Sequence, residues 1–171
     1  VTWKTFPLHP DTPEEGQSLE DLFNLPSAKV VEMVNNLKQT AGQLGLPFGT
    51  RTNTFNSRLA QELGLWAEDQ HRGDEFHRNA FAAYFVDGKN LAKHDVCIEM
   101  AVQAGLSGTE ANAVLETRSY ADRVDAHWQE ARTLGITAIP TFVAGFNRVV
   151  GAQRYETLAE LVQAAGSVRR R

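Results

Sequence analysis

Along most of this chain apolar residues recur every three or four positions, the period of helices that bury one face. Val30, Val34, Leu37, Ala41 and Leu44 form one such stripe, opened by Pro26-Ser27 and stopped by Gly45. Leu59, Leu63 and Trp66 mark a second helix that fades near Gly73. Asp74 is placed to cap a third, carrying Phe76, Ala80, Phe81, Tyr84 and Phe85, with Asp87-Gly88 turning the chain after it. Asp95 is placed to cap a fourth, with Cys97, Met100, Ala101 and Ala104 inward and Gly105 at its end. Thr109 starts a short helix through Leu115, and Tyr120, Val124, Trp128 and Ala131 mark a long one that stops at Gly135. Leu158, Leu161, Val162 and Ala165 make a last amphipathic helix, ended by Gly166.

The period shortens to two in only a few places. Val1 to Phe6 alternates and predicts a strand. Pro7, Pro10 and Pro13 end it and hold an extended loop from His9 to Gly16, after which Ser18 and Asp21 read as a capping box for a helical turn through Phe23. Near the other end, Phe142-Val143-Ala144, a turn at Gly145-Phe146-Asn147, and Arg148-Val149-Val150 predict a hairpin. Pro140 stands at its mouth, where a residue that cannot donate to a ladder is tolerated and where a cis bond would set a rigid turn. Strand, helices, hairpin and helix give three strands, a thin sheet for so many helices. The abrupt start on a strand-like segment without Met suggests that residues stand upstream of Val1.

Composition adds bounds. The 171 residues are 42% hydrophobic and 22% charged, enough for one cored domain or a domain with an insertion. The net charge of −4 argues against a nucleic-acid partner, and Arg169-Arg170-Arg171 reads as a solvated tail. No run reaches the roughly 18 apolar residues of a spanning helix and no signal-peptide pattern opens the chain, so no membrane partner is expected. The single cysteine, Cys97, allows no intrachain disulfide and fits a cytoplasmic location.

Four blocks carry a family resemblance. They are Phe6-Pro7-Leu8-His9-Pro10-Asp11-Thr12-Pro13-Glu14-Glu15-Gly16; Leu44-Gly45-Leu46-Pro47-Phe48 with Asn53-Thr54 and Asn56-Ser57-Arg58-Leu59-Ala60; Ala82-Ala83-Tyr84-Phe85-Val86-Asp87-Gly88; and the run from Ala131 to Val143, with Gly151-Ala152-Gln153 beyond. In this order they resemble the DsbA-like thioredoxin-fold family, and within it the FrnE-like dithiol oxidoreductases. The resemblance implies an α/β fold: a thioredoxin-like part at 1–16 and 118–171, incomplete because its N-terminal strand-CxxC-helix unit would lie upstream of Val1, and an inserted helical domain at 17–117. It also implies thiol–disulfide exchange on a disulfide or thiol substrate, a peptide or glutathione, and it allows a homodimer. Two departures stand out. Ser57 replaces a His that many relatives carry, and the chain has no Cys-x-x-Cys, so no catalytic residue is expected within it and the fragment is expected to be inactive. No cofactor is implied, except glutathione in the alternative reading as an isomerase of the 2-hydroxychromene-2-carboxylate type, where a lone Ser would stand upstream. A second alternative is a non-catalytic peptide-binding module.

Carried over by resemblance, Ile139 pairs through its backbone with a bound peptide, Pro140 is the cis-proline, and Thr141 follows at the strand start. His9 is a candidate to line the groove, or else to hold its loop by a backbone bond; Asn53 is a candidate to orient substrate, or else to cap the next helix. The remaining candidates have plainer readings. Cys97, between Val96 and Ile98, reads as an inert core thiol. His71, Asp74 and His77 do not share a helix face and are not expected to hold a metal. His94 and His127 read as surface residues, and Phe76, Phe81, Tyr84 and Phe85 as core of the helical block, some of them possible neighbours of a substrate groove.

Overall fold

A computed structural model describes residues 1–167; the Arg169–Arg171 tail lies outside them. The elements are β1 (Gln17–Ser18), α1 (Leu19–Phe23), α2 (Ser27–Gln43), β2 (Asn53–Thr54), α3 (Arg58–Asp69), α4 (Gly73–Phe85), α5 (His94–Gln103), α6 (Gly108–Thr117), α7 (Ala121–Thr133), β3 (Thr141–Ala144), β4 (Asn147–Val150) and α8 (Tyr155–Ala164). They fall into two compact units. One holds Val1–Leu8 and the chain from Ala126 onward; the other holds His9–Asp125.

The helical unit owns the packed core. Leu63, Phe76, Cys97, Met100, Ala101, Ala111 and Leu115 are at most 1% exposed, at the positions where the helical period repeats on α3 to α6. Several ends follow from local chemistry. Ser18 Oγ accepts the Asp21 amide at 3.0 Å and donates to Asp21 Oδ2 at 2.6 Å, closing the capping box that starts α1. Ser107 Oγ likewise accepts the Glu110 amide at the start of α6. Gly45 and Gly105, at φ +70° and +81°, take the left-handed conformation that ends α2 and α5.

Four expectations change. Asp74 and Asp95 do not cap: the N-cap residues are Arg72 and Lys93, and the two carboxylates sit in the first turns of α4 and α5, where the positive end of the helix dipole favours them equally well. The stripe on α2 is not a buried face, since Val30 is buried but Leu37 is 51% and Leu44 69% exposed. Among the regular elements α2 touches only α1, and Val34 and Ala41 are half-buried. Of the aromatic series, Phe76 is buried, Tyr84 and Phe85 are half-buried, and Phe81 is 59% exposed. Finally, two residues on either side form an antiparallel β1–β2 pair, Gln17 with Thr54 and Ser18 with Asn53, where the sequence suggested a cap and a loop.

The loop before β2 makes one close approach. Gly49 donates its amide to Phe85 O at 2.8 Å, and a Cβ at Gly49 would stand 2.0 Å from Val86 O. Both neighbours are backbone and cannot swing aside. Gly49→Ala is therefore expected to cost about 1–3 kcal/mol through overpacking, read as a lower thermal midpoint; an unchanged midpoint would show that the loop gives way freely.

In the other unit, Val1 to Phe6 forms no strand. A strand is completed by a neighbour, and no described strand runs beside this segment. Its polar contacts go to α7 instead: the Thr5 amide donates to His127 Nδ1 at 3.3 Å and Lys4 Nζ meets Glu130 Oε2 at 2.9 Å. His127 is half-buried, as its place on the helix suggested. Among the described residues the only sheet here is β3–β4, and buried apolar side chains are few, Ala131 and Leu161.

Candidate functional site

The hairpin is built by its turn and its two ends. β3 and β4 run antiparallel, with Thr141 opposite Val150, Phe142 opposite Val149, Val143 opposite Arg148 and Ala144 opposite Asn147. Gly145, at φ +59°, occupies the first position of the two-residue loop, where a type II′ turn needs a positive φ. At the other end the Gly151 amide donates to Pro140 O at 2.8 Å, and Thr141 Oγ1 donates to Ala138 O at 2.6 Å. Arg148 Nη1 donates to the carbonyls of Leu134 and Gly135 at 2.8 and 3.3 Å, which satisfies the end of α7 and ties it to β4.

The Ile139–Pro140 bond is cis, and Ile139 is 47% exposed. Antiparallel backbone groups point alternately toward and away from the partner strand. Pro140 bonds toward β4, so Ile139 and Thr141 direct their backbone groups to the open edge of β3. Among the described residues β3 is thus an edge strand, with outward-facing donors and acceptors at Thr141 and Val143, and the bend at 138–140 leads into it with Ile139 exposed.

His9 and Asn53 belong to the other unit. His9 is exposed, and its carbonyl accepts the Thr12 amide at 3.3 Å and Thr12 Oγ1 at 3.0 Å, holding the proline loop. Asn53 pairs with Ser18 in the β1–β2 ladder, and its Oδ1 accepts from Thr52 Oγ1 at 2.8 Å. It does not cap α3. The N-cap residue is Ser57, which makes no side-chain cap bond, and just before it Asn56 Oδ1 accepts the Arg58 amide at 2.9 Å. The Nδ2 of Asn56 also donates to Pro10 O and Thr12 O, so one side chain joins the proline loop to the start of α3.

Sequence reading missed a charged network beneath that start. Glu62 is 0% exposed; its Oε1 accepts Arg58 Nε at 2.7 Å and Arg118 Nη2 at 2.6 Å, and its Oε2 accepts Arg118 Nε at 2.8 Å. Arg58 reaches on to Asp125 Oδ1 at 2.6 Å and to Ala121 O at 2.9 Å. Burial alone raises the Glu62 pKa, but the hydrogen bonds and charges of Arg118 and Arg58 together outweigh it and hold the carboxyl below its ordinary value. The signal was present in part: Glu62 stands three residues after Leu59 and four before Trp66, on the apolar face itself.

Cys97 is buried in the α3–α6 core, with its thiol on Leu91 O at 3.2 Å. Burial, aided by the Asp95 charge, pushes its pKa up to about 12. The native protein is therefore expected not to react with a disulfide reagent such as DTNB near neutral pH, and to release one thiol equivalent on unfolding; fast native labelling would contradict this. His77 Nε2 lies 3.9 Å from Glu68 Oε1, and His71, Asp74 and His77 do not gather into a metal-binding group. Among the described residues no helix is long and apolar enough to cross a membrane.

A proline-headed hairpin followed by a helix, together with a separate helical unit, is the arrangement of a mixed α/β thioredoxin-class protein. The chain belongs to the DSBA-like thioredoxin domain family, whose model matches residues 1–163. It is similar in structure to a probable DsbA oxidoreductase from Streptomyces coelicolor, at 27% identity and a TM-score of 0.84 over 96% of this chain and 74% of that one. A candidate protein disulfide isomerase from Nitrosomonas europaea shares the fold, at 18% identity and a TM-score of 0.67 over 82% of this chain and 74% of that one. No curated protein matches the sequence.

Proposed function

We propose that this chain is the substrate-docking part of a FrnE-like thiol–disulfide oxidoreductase, a truncated form whose Cys-x-x-Cys lies in sequence upstream of Val1. The observation that carries this reading is the open edge at Ile139–Thr141 in a chain of the DSBA-like family. An extended peptide added to that edge would bond to the Ile139 backbone, pack on Pro140 and run past Thr141. His9 and Asn53, both in the helical unit, are the further candidates for contact with substrate. A thiolate supplied by the upstream unit would attack one sulfur of the substrate disulfide, breaking that bond and forming a mixed disulfide. The second cysteine would then displace the substrate thiolate and leave the enzyme oxidised. The reaction needs no bound cofactor, and a single buried cysteine suits a reducing cytoplasm.

The coding sequence upstream of Val1 tests the reading. A Cys-Pro-x-Cys there, with insulin reduction by the longer chain, is the expected result. A lone Ser, with glutathione-dependent isomerisation of 2-hydroxychromene-2-carboxylate, would replace the oxidoreductase by an isomerase of the same fold.

A further inference from the structure

In the helical unit, the starts of α3 and α5 and the end of α6 surround an open cleft of about 350 Å³, lined by Asn56, Arg58, Leu59, Ala92, His94 and Arg118, with Glu14 also on its wall. Arg118 is half used. Its Nε and Nη2 hold the two oxygens of buried Glu62, which fixes the plane of the guanidinium. A guanidinium carries five N–H donors in two forks. The second fork, Nη1 with the other Nη2 hydrogen, meets no protein acceptor among the described residues, and the side chain is 47% exposed. His94, exposed at the first position of α5, also has no side-chain partner there, and Lys93 provides no side-chain cap for the amides behind it.

The surrounding charges limit what can enter. Arg58 is committed to Glu62 and Asp125, and Lys93 to Glu14 and Glu15 at 3.0 and 2.7 Å. Positive and negative groups therefore nearly cancel. A dianion such as phosphate would face Glu14, Glu62 and Asp125 together, whereas a single planar charge fits the free fork. Leu59 and Ala92 offer an apolar wall beside it.

We infer that this cleft binds a carboxylate on a short aliphatic chain, with one oxygen pair on the Arg118 Nη1–Nη2 fork, His94 as a further donor, and the methylenes against Leu59 and Ala92. Such a group comes either from an acidic side chain of a peptide or from a free small carboxylate. Binding here requires no thiol chemistry, and its failure would leave the role of the hairpin untouched.

The test is a titration of the ¹⁵N-labelled chain at constant ionic strength, with butyrate, a blocked glutamyl tripeptide, and their uncharged counterparts butyramide and a blocked glutaminyl tripeptide. Saturable shifts at Arg118 Nε–H and at the amides of residues 94–96, in the millimolar range, are expected for the carboxylates alone. His94→Ala and Arg118→Lys, the latter keeping a cation beside Glu62, should each weaken binding about tenfold, the loss of one charge-assisted bond. Thermal melts confirm that both variants are folded. Binding of both carboxylates shows that the small group suffices; binding of the tripeptide alone assigns the site to acidic peptides. Absence of saturable shifts with either carboxylate, equal shifts with the amides, or affinity unchanged in both variants would overturn the inference.

Discussion

Glu62→Ala is expected to lower stability by about 3–5 kcal/mol, a large part of the ~5–15 kcal/mol that holds a typical domain folded. The carboxylate is fully buried on α3 and accepts three hydrogen bonds from two guanidiniums. Its removal leaves a cavity and two cations facing each other. Arg58, whose side chain is 18% exposed, stays where it is and suffers most; Arg118, at 47%, can turn toward water, which favours the lower end of the range. The same network predicts an acid dependence. The folded pKa of Glu62 is lowered, so its contribution is fully present above the ordinary carboxylate pKa of ~4.3. It fades as pH falls through the depressed folded value, because the unfolded chain takes up the proton more readily. Urea unfolding followed by circular dichroism at a series of pH values checks both points. Glu62→Gln should flatten the acid side of the stability curve; a loss below 1 kcal/mol together with an unchanged curve would show that the pair is only a surface contact.

The second large effect concerns chemistry. The 171-residue chain alone is expected to reduce no insulin above the buffer rate, and Cys97→Ser should change nothing. Dithiol exchange needs an attacking thiolate and a second thiol to resolve the mixed disulfide. Cys97 is the single cysteine, is buried, and with a pKa of about 12 is ionised in only about one molecule in 10⁵ at neutral pH. Its neighbours are the core side chains of α3 to α6, so a substrate disulfide could reach it only after the core had opened.

The helices were legible because their signals are local. The apolar period of Leu59, Leu63 and Trp66 and the glycines after α2, α5, α7 and α8 need no distant partner to act, and each of those glycines takes a positive φ. The hairpin was legible for the same reason, through Pro140 and Gly145. What failed depends on distant residues. Val1 to Phe6 has the alternation of a strand, but no described strand runs beside it. The α2 stripe has the spacing of a buried face, yet Leu37 and Leu44 lack a partner surface. Asn53 is a capping candidate on paper, but the chain path puts it in the β1–β2 ladder and puts Asn56 Oδ1 on the Arg58 amide. The Glu62–Arg118 pair spans 56 positions and could not be read from spacing. Of the proposed docking residues, Ile139, Pro140 and Thr141 stand together on one hairpin, while His9 and Asn53 lie in the other unit.

The most direct measurement compares insulin reduction by three proteins: this chain, its Cys97→Ser variant, and the chain lengthened upstream through its first strand and helix. A rate at background for the first two and turnover only for the third is the predicted result. Turnover by the 171-residue chain that survives Cys97→Ser, or no turnover by a longer chain that carries a Cys-x-x-Cys, would contradict the assignment.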